Sequence, residues 1–467
     1  MPQRTALSAS IPGVYHVSDF GAVGDGVTDD TAALQDALAA AEGATLYFDA
    51  SSYVVSDLLT VRQGTTLRGR GATIVRKTGY SHEILGNWQH GATWDWADGD
   101  TTTTGYNGSG DITIDGITFD GNAGAEPSNI VSFVHCQNIV IRDCVFLDCT
   151  ADHHLELNST RHARVSNCQF LGFRPNAGIS VRKEAIQIDW AHPSLGMGGA
   201  RDGTMSADIS IEGCYFGPDD RGNRAPNIAV GTHQEASAGS VHENLRVLNC
   251  VGTGLNHAGT RWVNTRGLRV VGNEFTLSRR PVPVAYNETD VMLYGFACTV
   301  SDDVLVADNR IAVDSGEKAI SVDIRGDSSR ALIIGNTLAY GRYALFVEDS
   351  YDCNFRDNYC LSHTVSAVHL RSAWRAHIAA NTFYNAGANG GNIAAVEGSG
   401  TAGQASWNTF DSNVAQYIGS SNEPPAVGVA CDLTTSRGTA VRMNRFREVT
   451  TVHTGPSTDV VAYNTSD

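Results

Sequence analysis

One short pattern, written over and over, limits what this chain can fold into. It is an alternating apolar pair, a turn marker and another apolar residue. Ile139-Val140-Ile141-Arg142-Asp143-Cys144-Val145-Phe146 states it once, and Arg164-Val165-Ser166-Asn167-Cys168-Gln169-Phe170 states it again. Aligned on the marker, the pattern returns at Gly116, Cys144, Cys168, Cys214, Cys250, Asn273, Asn309, Asn336, Asn358, Asn381, Asn413, Asn444 and Asn464. The spacings run from 20 to 46 residues. A coil of three short strands and their turns takes 20–28 or so, and longer spacings mean a loop inserted at a turn. Each coil then buries its apolar side only against its neighbours, so the core is a thin column.

The marker residues carry their own expectations. Asn at a turn suits a left-handed backbone, and stacked Asn side chains suit an amide ladder. Cys144, Cys168, Cys214 and Cys250 are expected as small buried thiols. No Cys-x-x-Cys pair exists to suggest a metal site. With 49 glycines and 42% hydrophobic residues in 467, the composition fits many short strands joined by tight turns. The expected fold class is all-β: residues 1–45 as a leader and capping helix, and residues 46–467 as a single solenoid.

Near the N-terminus stands Asp19-Phe20-Gly21-Ala22-Val23-Gly24-Asp25-Gly26-Val27-Thr28-Asp29-Asp30-Thr31, followed by Ala32-Ala33-Leu34-Gln35. This stretch resembles the N-terminal signature of the pectate-lyase-like superfamily of right-handed parallel β-helices. That superfamily includes polygalacturonases, alginate epimerases and many bacteriophage tailspikes. The resemblance implies the fold, a single right-handed parallel β-helix for the solenoid of residues 46–467, and says little about activity. Physically, the glycines permit tight turns. Asp29 or Asp30 can cap a helix over residues 31–41, whose face Ala33, Leu34, Ala37 and Leu38 would close the first coil. The Pro-x-Gly-x-Tyr usual after the next strand is replaced by Asp49-Ala50-Ser51-Ser52-Tyr53.

A second strand type collects polar residues. In His154-Leu155-Glu156-Leu157-Asn158 the leucines must face the core, so His154, Glu156 and Asn158 face outward, toward solvent. In Ala185-Ile186-Gln187-Ile188-Asp189 the outward pair is Gln187 and Asp189. Later coils add His233, then His257 and Arg261. If Glu156 and Asp189 lie diagonally on adjacent coils, their Cβ atoms are roughly 7–8 Å apart. That suits the paired carboxylates of glycoside hydrolysis, one as acid and one as base or nucleophile. His154, Asn158, Gln187, His233, His257 and Arg261 are then hydroxyl or carboxylate contacts. Two segments break the rhythm. Residues 80–110 carry Tyr80, Trp88, Trp94, Trp96 and Tyr106, and residues 190–207 carry Trp190, His192 and Met197. Such aromatics, Trp190 among them, can stack on sugar faces or pack against a neighbouring subunit. Glu184 reads as a local ion pair with Lys183.

The resemblance does not settle the chemistry. The polygalacturonase set of motifs (Asn-Thr-Asp, Asp-Asp, Gly-His-Gly, Arg-Ile-Lys) is not present here. Asp152-His153-His154-Leu155-Glu156 shares content with the Asp-Pro-His-Glu cluster of alginate epimerases but not its spacing. A net charge of −17 is unsuited to nucleic acid or to an anionic membrane surface. No apolar run has the ~20 residues needed to insert across a bilayer, and MPQRTALSASIPG lacks the apolar core of a signal peptide. The expectation is a tailspike-like glycoside hydrolase acting on a bacterial surface polysaccharide, located on a virion tail or outside the cell. A homotrimer, with other phage tail proteins as further partners, completes it. No cofactor is expected, although acidic residues leave room for Ca²⁺. The alternatives are a polysaccharide lyase or uronate epimerase, and a non-catalytic glycan-binding or structural tail protein.

Overall fold

A computed structural model describes residues 13–467 except 81, 89–101, 123–127, 176–182, 193–198, 233–239, 279–291, 314–318, 388–391, 399–404, 417–426, 433–435, 448–450, 457–459, 463 and 467. The chain divides into two compact units. One holds the residues up to Gln169 together with Trp190–Thr204, and the other holds Phe170–Asp189 with Met205–Asp467. Among the described strands, every ladder of named strands is parallel, and within each unit the strands fall into three sheets. Each unit is a right-handed parallel β-helix, built from the coils the repeat requires.

In the first unit, one sheet runs through Thr45–Tyr47, Thr66–Arg68, Ile112–Asp115, Gln137–Arg142 and Arg161–Ser166. A second runs through Ser52–Val55, Thr73–Arg76, Thr118–Asp120 and Val145–Thr150. The third runs through Leu59–Thr60, Leu85–Gly86, Val131–Val134 and Leu155–Asn158. Register is exact in kind: Leu67 pairs with Ile114, Ile114 with Ile141 and Ile141 with Val165, so like residues stack into core columns. Phe119 stacks on Phe146 with ring centroids 5.5 Å apart. The second unit repeats the scheme. Its third sheet passes from Glu184–Asp189 through Ile228–Gly231, Ala258–Val263, Leu293–Thr299 and Ala319–Arg325 to Tyr343–Tyr351 and Val368–Trp374.

The signature near the N-terminus has a structural job. The helix spans Thr31–Ala40 and buries Leu34, Ala37 and Leu38. Gln35 closes an exposed strand edge: its amide donates to Thr60 O at 3.3 Å and its carbonyl accepts from Thr60 N at 2.9 Å. Asp29 supplies the cap, accepting from Thr31 N at 3.2 Å. Asp30 does not cap with its side chain. Its carboxylate instead accepts from Val23 N at 2.6 Å and Gly24 N at 3.1 Å, pinning the glycine turn to the helix start. Gly24 has φ of 65°, and a Cβ there would lie 2.4 Å from Ala50 Cβ, so only glycine fits.

The turn markers differ from expectation in two ways. The left-handed residue is the one before the marker: Asp143, Asn167, Gly213, Asn249, Gly272, Asp308, Gly335 and Asp357 all have positive φ. Gly116 belongs to that set, with φ of 75°, and pairing of Thr118 with Val145 puts Ile117 level with Cys144. The marker itself points inward and carries hydrogen bonds. From Asn309 onward each Asn Oδ1 accepts from the backbone N and the Nδ2 of the Asn one coil earlier, as in Asn336 to Asn358 at 3.0 and 2.9 Å, and Asn273 Oδ1 accepts from Cys250 N. Each Nδ2 also donates to a carbonyl of the preceding coil, Asn358 to Ile333 O at 3.0 Å. The ladder reaches Asn464. The cysteines use the same direction more weakly: Cys168 Sγ donates to Ile141 O at 3.8 Å. All ten cysteines are free and buried.

Asn358→Ala should therefore leave several buried groups unpaired and cost at least about 2 kcal/mol in urea unfolding. Asn354→Ala, half-buried in the same coil, should cost less than about 1 kcal/mol. Equal effects would contradict the ladder's role. Acid sensitivity is a second expectation. Burial pushes His242 down to about 4 and His363 down to about 3, and Ser206 N donates to His242 Nδ1 at 3.2 Å. Both rings stay neutral in the fold while unfolded histidine gains a proton near pH ~6.5. Their contribution to stability is present above that value and is lost as pH falls below it. Burial of Glu83, pushed up to about 7, and of Asp323, pushed up to about 6, acts in the opposite sense. Variant and wild type must therefore be compared. His242→Gln should lose less stability than wild type between about pH 7 and 4.5, read from urea midpoints. Parallel slopes would contradict it.

Candidate functional site

In the first unit, the outer row Gly86–Ser132–Glu156 is set by strand register, Gly86 beside Ser132 and Ser132 beside Glu156. Trp88 lies across this row. Its indole donates to Ser132 Oγ at 2.8 Å, and its carbonyl accepts from Thr60 Oγ1 at 3.1 Å. A Cβ on Gly86 would sit 2.8 Å from the indole nitrogen, so the glycine makes room for the ring. Glu156 is held by two amides. Asn158 Nδ2 donates to Oε1 at 2.5 Å, and Asn129 Nδ2 donates to Oε2. Asn129 is itself fixed at its other end, its Oδ1 accepting from His153 N at 3.2 Å. A carboxylate that accepts an amide bond on each oxygen is held in one orientation.

The same face is not open to water. His154 is 0%, Glu156 9% and Asn158 1% exposed. The outward orientation expected from alternation puts Glu156 and Asn158 on one face, but the expectation of solvent exposure is corrected. The described parts of the two irregular segments are bonded to each other and to residues flanking these strands. His135 Nδ1 lies 2.9 Å from Gly105 O and Nε2 lies 2.8 Å from Ala200 O, so one ring joins both segments. Ala200 N donates to Thr103 O, Gly105 N to Asp202, and Ser159 Oγ to Thr204 O. Tyr106 packs under the Arg161 guanidinium at 4.6 Å. Trp190 is buried, with its ring 4.8 Å from His192. It is packed inside rather than offered to solvent. Trp94, Trp96, Met197 and His233 lie outside the described residues.

In the second unit, Gln187 Nε2 donates to Asp189 Oδ2 at 2.8 Å, and both are nearly fully buried. Register places Gln187 beside Gly231, Gly231 beside Arg261, then Ala297 and Asp323. Gly231 is required: a Cβ would meet Arg261 O at 2.2 Å. Arg261 approaches Glu184 to 3.9 Å, so the acid read from the sequence as a partner of Lys183 meets a cation two coils on. His257 is buried, its ring edge-on to Tyr294 at 5.7 Å. Glu156 and Asp189 thus fall in different units, and each is taken where it stands.

Further along, Asp323 is buried and Arg325 binds both its oxygens, at 2.8 and 2.9 Å. Burial pushes its carboxyl up to about 6 while Arg325 pulls the other way. Arg325 also covers the Phe346 ring at 4.7 Å and meets Glu348 at 3.1 Å, and Glu348 meets Arg371 at 3.0 Å. With both oxygens engaged, Asp323 reads as the buried end of an ion-pair row and not as a proton donor. Alternation alone missed Asn129, whose position opposite His153 would have been found by extending the register one residue before Ile130. It also missed Arg76, discussed below. Among the described residues, no three His, Cys, Asp or Glu side chains are gathered to hold a metal ion.

Comparison with known proteins agrees with the fold. Residues 14–190 match the family model described as rhamnogalacturonase A/epimerase, pectate lyase-like, and residues 219–423 match that of periplasmic copper-binding protein NosD. Plasmin and fibronectin-binding protein A of Streptococcus pneumoniae is 27% identical over 66% of this chain and 46% of its own. The crystal structure of PfbA, a surface adhesin of Streptococcus pneumoniae, superimposes with a TM-score of 0.61 at 18% identity, covering 94% of this chain and 91% of that one. Shorter matches include a capsule K30/K69-specific depolymerase of Klebsiella phage K5-2, 48% identical over 13% of this chain and 8% of its own. Mannuronan C5-epimerase AlgE5 of Azotobacter vinelandii is 40% identical over 15% of this chain and 8% of its own. The chain spans less than half the length of each of these curated relatives.

Because Glu156 is buried and bonded at both oxygens, Glu156→Gln should lower stability by about 1–3 kcal/mol. The new amide N–H₂ would face an amide donor. Thermal unfolding checks this, and a change within ~0.5 kcal/mol would return Glu156 to the exposed surface.

Proposed function

We propose that this pectate-lyase-like β-helix binds and cleaves a bacterial surface polysaccharide by hydrolysis, with Glu156 as a working carboxylate. The observation that carries the reading is the juxtaposition of Glu156, held by Asn129 and Asn158, with Ser132 and the indole of Trp88 one coil away. An aromatic face beside a positioned carboxylate suits a sugar ring and an acid–base step on its bond. A phage depolymerase described as capsule-specific is among the relatives, which favours a surface glycan and a place on a phage tail or outside the cell. Among the described residues no helix is long and apolar enough to cross a membrane.

A lyase or epimerase reading is favoured by one further finding, the match to mannuronan C5-epimerases. Both chemistries need a base, and Glu156 would serve as one. Asp189, held by Gln187, is a second proposed acid–base carboxylate and has its own variant. We also propose a homotrimer, checked by light scattering: three times 49.7 kDa is expected, and the monomer mass at micromolar concentration would exclude it.

The test is product analysis on capsular polysaccharide and on alginate. New reducing ends mean hydrolysis, and ultraviolet absorbance of an unsaturated uronate means elimination. A changed uronate composition without cleavage means epimerisation. Glu156→Gln and Asp189→Asn should each lower turnover by about 10²–10⁴-fold. Wild-type rates in folded variants would exclude those residues, and binding without any product would leave only the non-catalytic glycan-binding reading.

A further inference from the structure

Arg76 stands where the strand pattern calls for an apolar side chain. In Thr73-Ile74-Val75-Arg76 it shares the inward parity of Ile74, and register places it beside Val55 in the column that follows Tyr53 and Ile74. It is 2% exposed. Burial lowers the affinity of its guanidinium for the proton, and the nearby acidic groups Glu83, Asp120 and Asp148 oppose this. A buried cation is costly unless its geometry is well satisfied; here Nε finds no hydrogen-bond partner among the described residues, and the two terminal nitrogens carry the contacts. Nη1 donates to Ser128 Oγ, and Nη2 donates to Asn129 O at 3.1 Å. The fork therefore grips the two residues that lead into the strand Val131–Val134. The second of them is the residue whose amide holds Glu156.

We infer that Arg76 is a positioning residue for Glu156, acting through Asn129. The backbone of Asn129 is tied by Arg76, its Oδ1 by His153 N, and its remaining freedom is spent on the Nδ2 bond to Glu156. Asn158 holds the other oxygen from the same strand as Glu156. The chain of contacts fixes the aim of both Glu156 oxygens and favours the ionised form, since amide donors bond the charged state better than the neutral one. Lysine could keep the charge at position 76 but not the two-point grip. The inference rests on Glu156 being the working carboxylate, yet its main readout does not need activity.

That readout is the titration of the Glu156 side-chain carboxyl carbon by NMR, assigned by its loss in Glu156→Gln. Asn129→Ala and Arg76→Lys should each raise the midpoint, by on the order of one pH unit for the lost amide bond. In cleavage assays both should lower kcat more than they change KM, with the acid limb of the pH profile moved upward. Should Arg76→Lys fail to fold, Ser128→Ala loosens the same grip and carries the test. Unshifted midpoints in folded Asn129→Ala and in Arg76→Lys or Ser128→Ala overturn the inference, even if these variants are less stable. Full cleavage by Glu156→Gln overturns the proposed function instead, whatever the titrations show.

Discussion

Parallel, in-register pairing of one coil with the next is the constraint on which everything else in each unit depends. Strand neighbours in a sheet lie ~4.8 Å apart, so a residue type repeated once per coil becomes a continuous row. Inside, that produces the columns Leu67–Ile114–Ile141–Val165 and the Asn273-to-Asn464 ladder. The amide rungs serve a purpose the apolar columns cannot. A residue next to a left-handed turn leaves a backbone N–H and a carbonyl that lie off the regular strand pairing, and an inward Asn satisfies both at once. Cysteine at the same place donates only weakly, and the coils from Cys144 to Cys250 rely more on apolar filling.

The same rule generates the outer rows. Gly86, Ser132 and Glu156 are neighbours because their strands pair, and Trp88 can lie over them because Gly86 has no side chain. In the second unit Gln187, Gly231, Arg261, Ala297 and Asp323 form the corresponding run. These polar residues are mostly buried, so each must be hydrogen-bonded or paired to be tolerated. Glu156 with two amides, Asp189 with Gln187, and Asp323 with Arg325 meet that requirement in different ways. The differences separate a carboxylate with donors of fixed aim from one clamped by a guanidinium.

The sequence made the coil and its sidedness legible because both are periodic. Leu155 and Leu157 forced Glu156 and Asn158 outward, and the helix at Thr31 followed from its acidic lead-in and apolar face. Cover was not legible. Alternation tells which way a side chain points but not whether loops lie above it, and the contact of His135 with Gly105 and Ala200 joins residues 30 and 65 positions away. The marker was misplaced by one residue at Gly116, since glycine and asparagine both favour turns and only the register separates the left-handed position from the inward one. Arg76 was hidden for a different reason: a charged residue at an inward position breaks the pattern, and only its partners explain the break. His233 and the tryptophans at 94 and 96 lie outside the described residues.

The outer row carrying Glu156 is proposed as the place where a sugar chain is handled. The most direct measurement is a crystal structure of the Glu156→Gln protein soaked with oligosaccharides of the polysaccharide that the wild type binds or cleaves. The expected result is a sugar ring against Trp88 with an oxygen within hydrogen-bonding reach of position 156. An oligosaccharide bound on another face of the coils, with no contact to position 156 or Trp88, would contradict it.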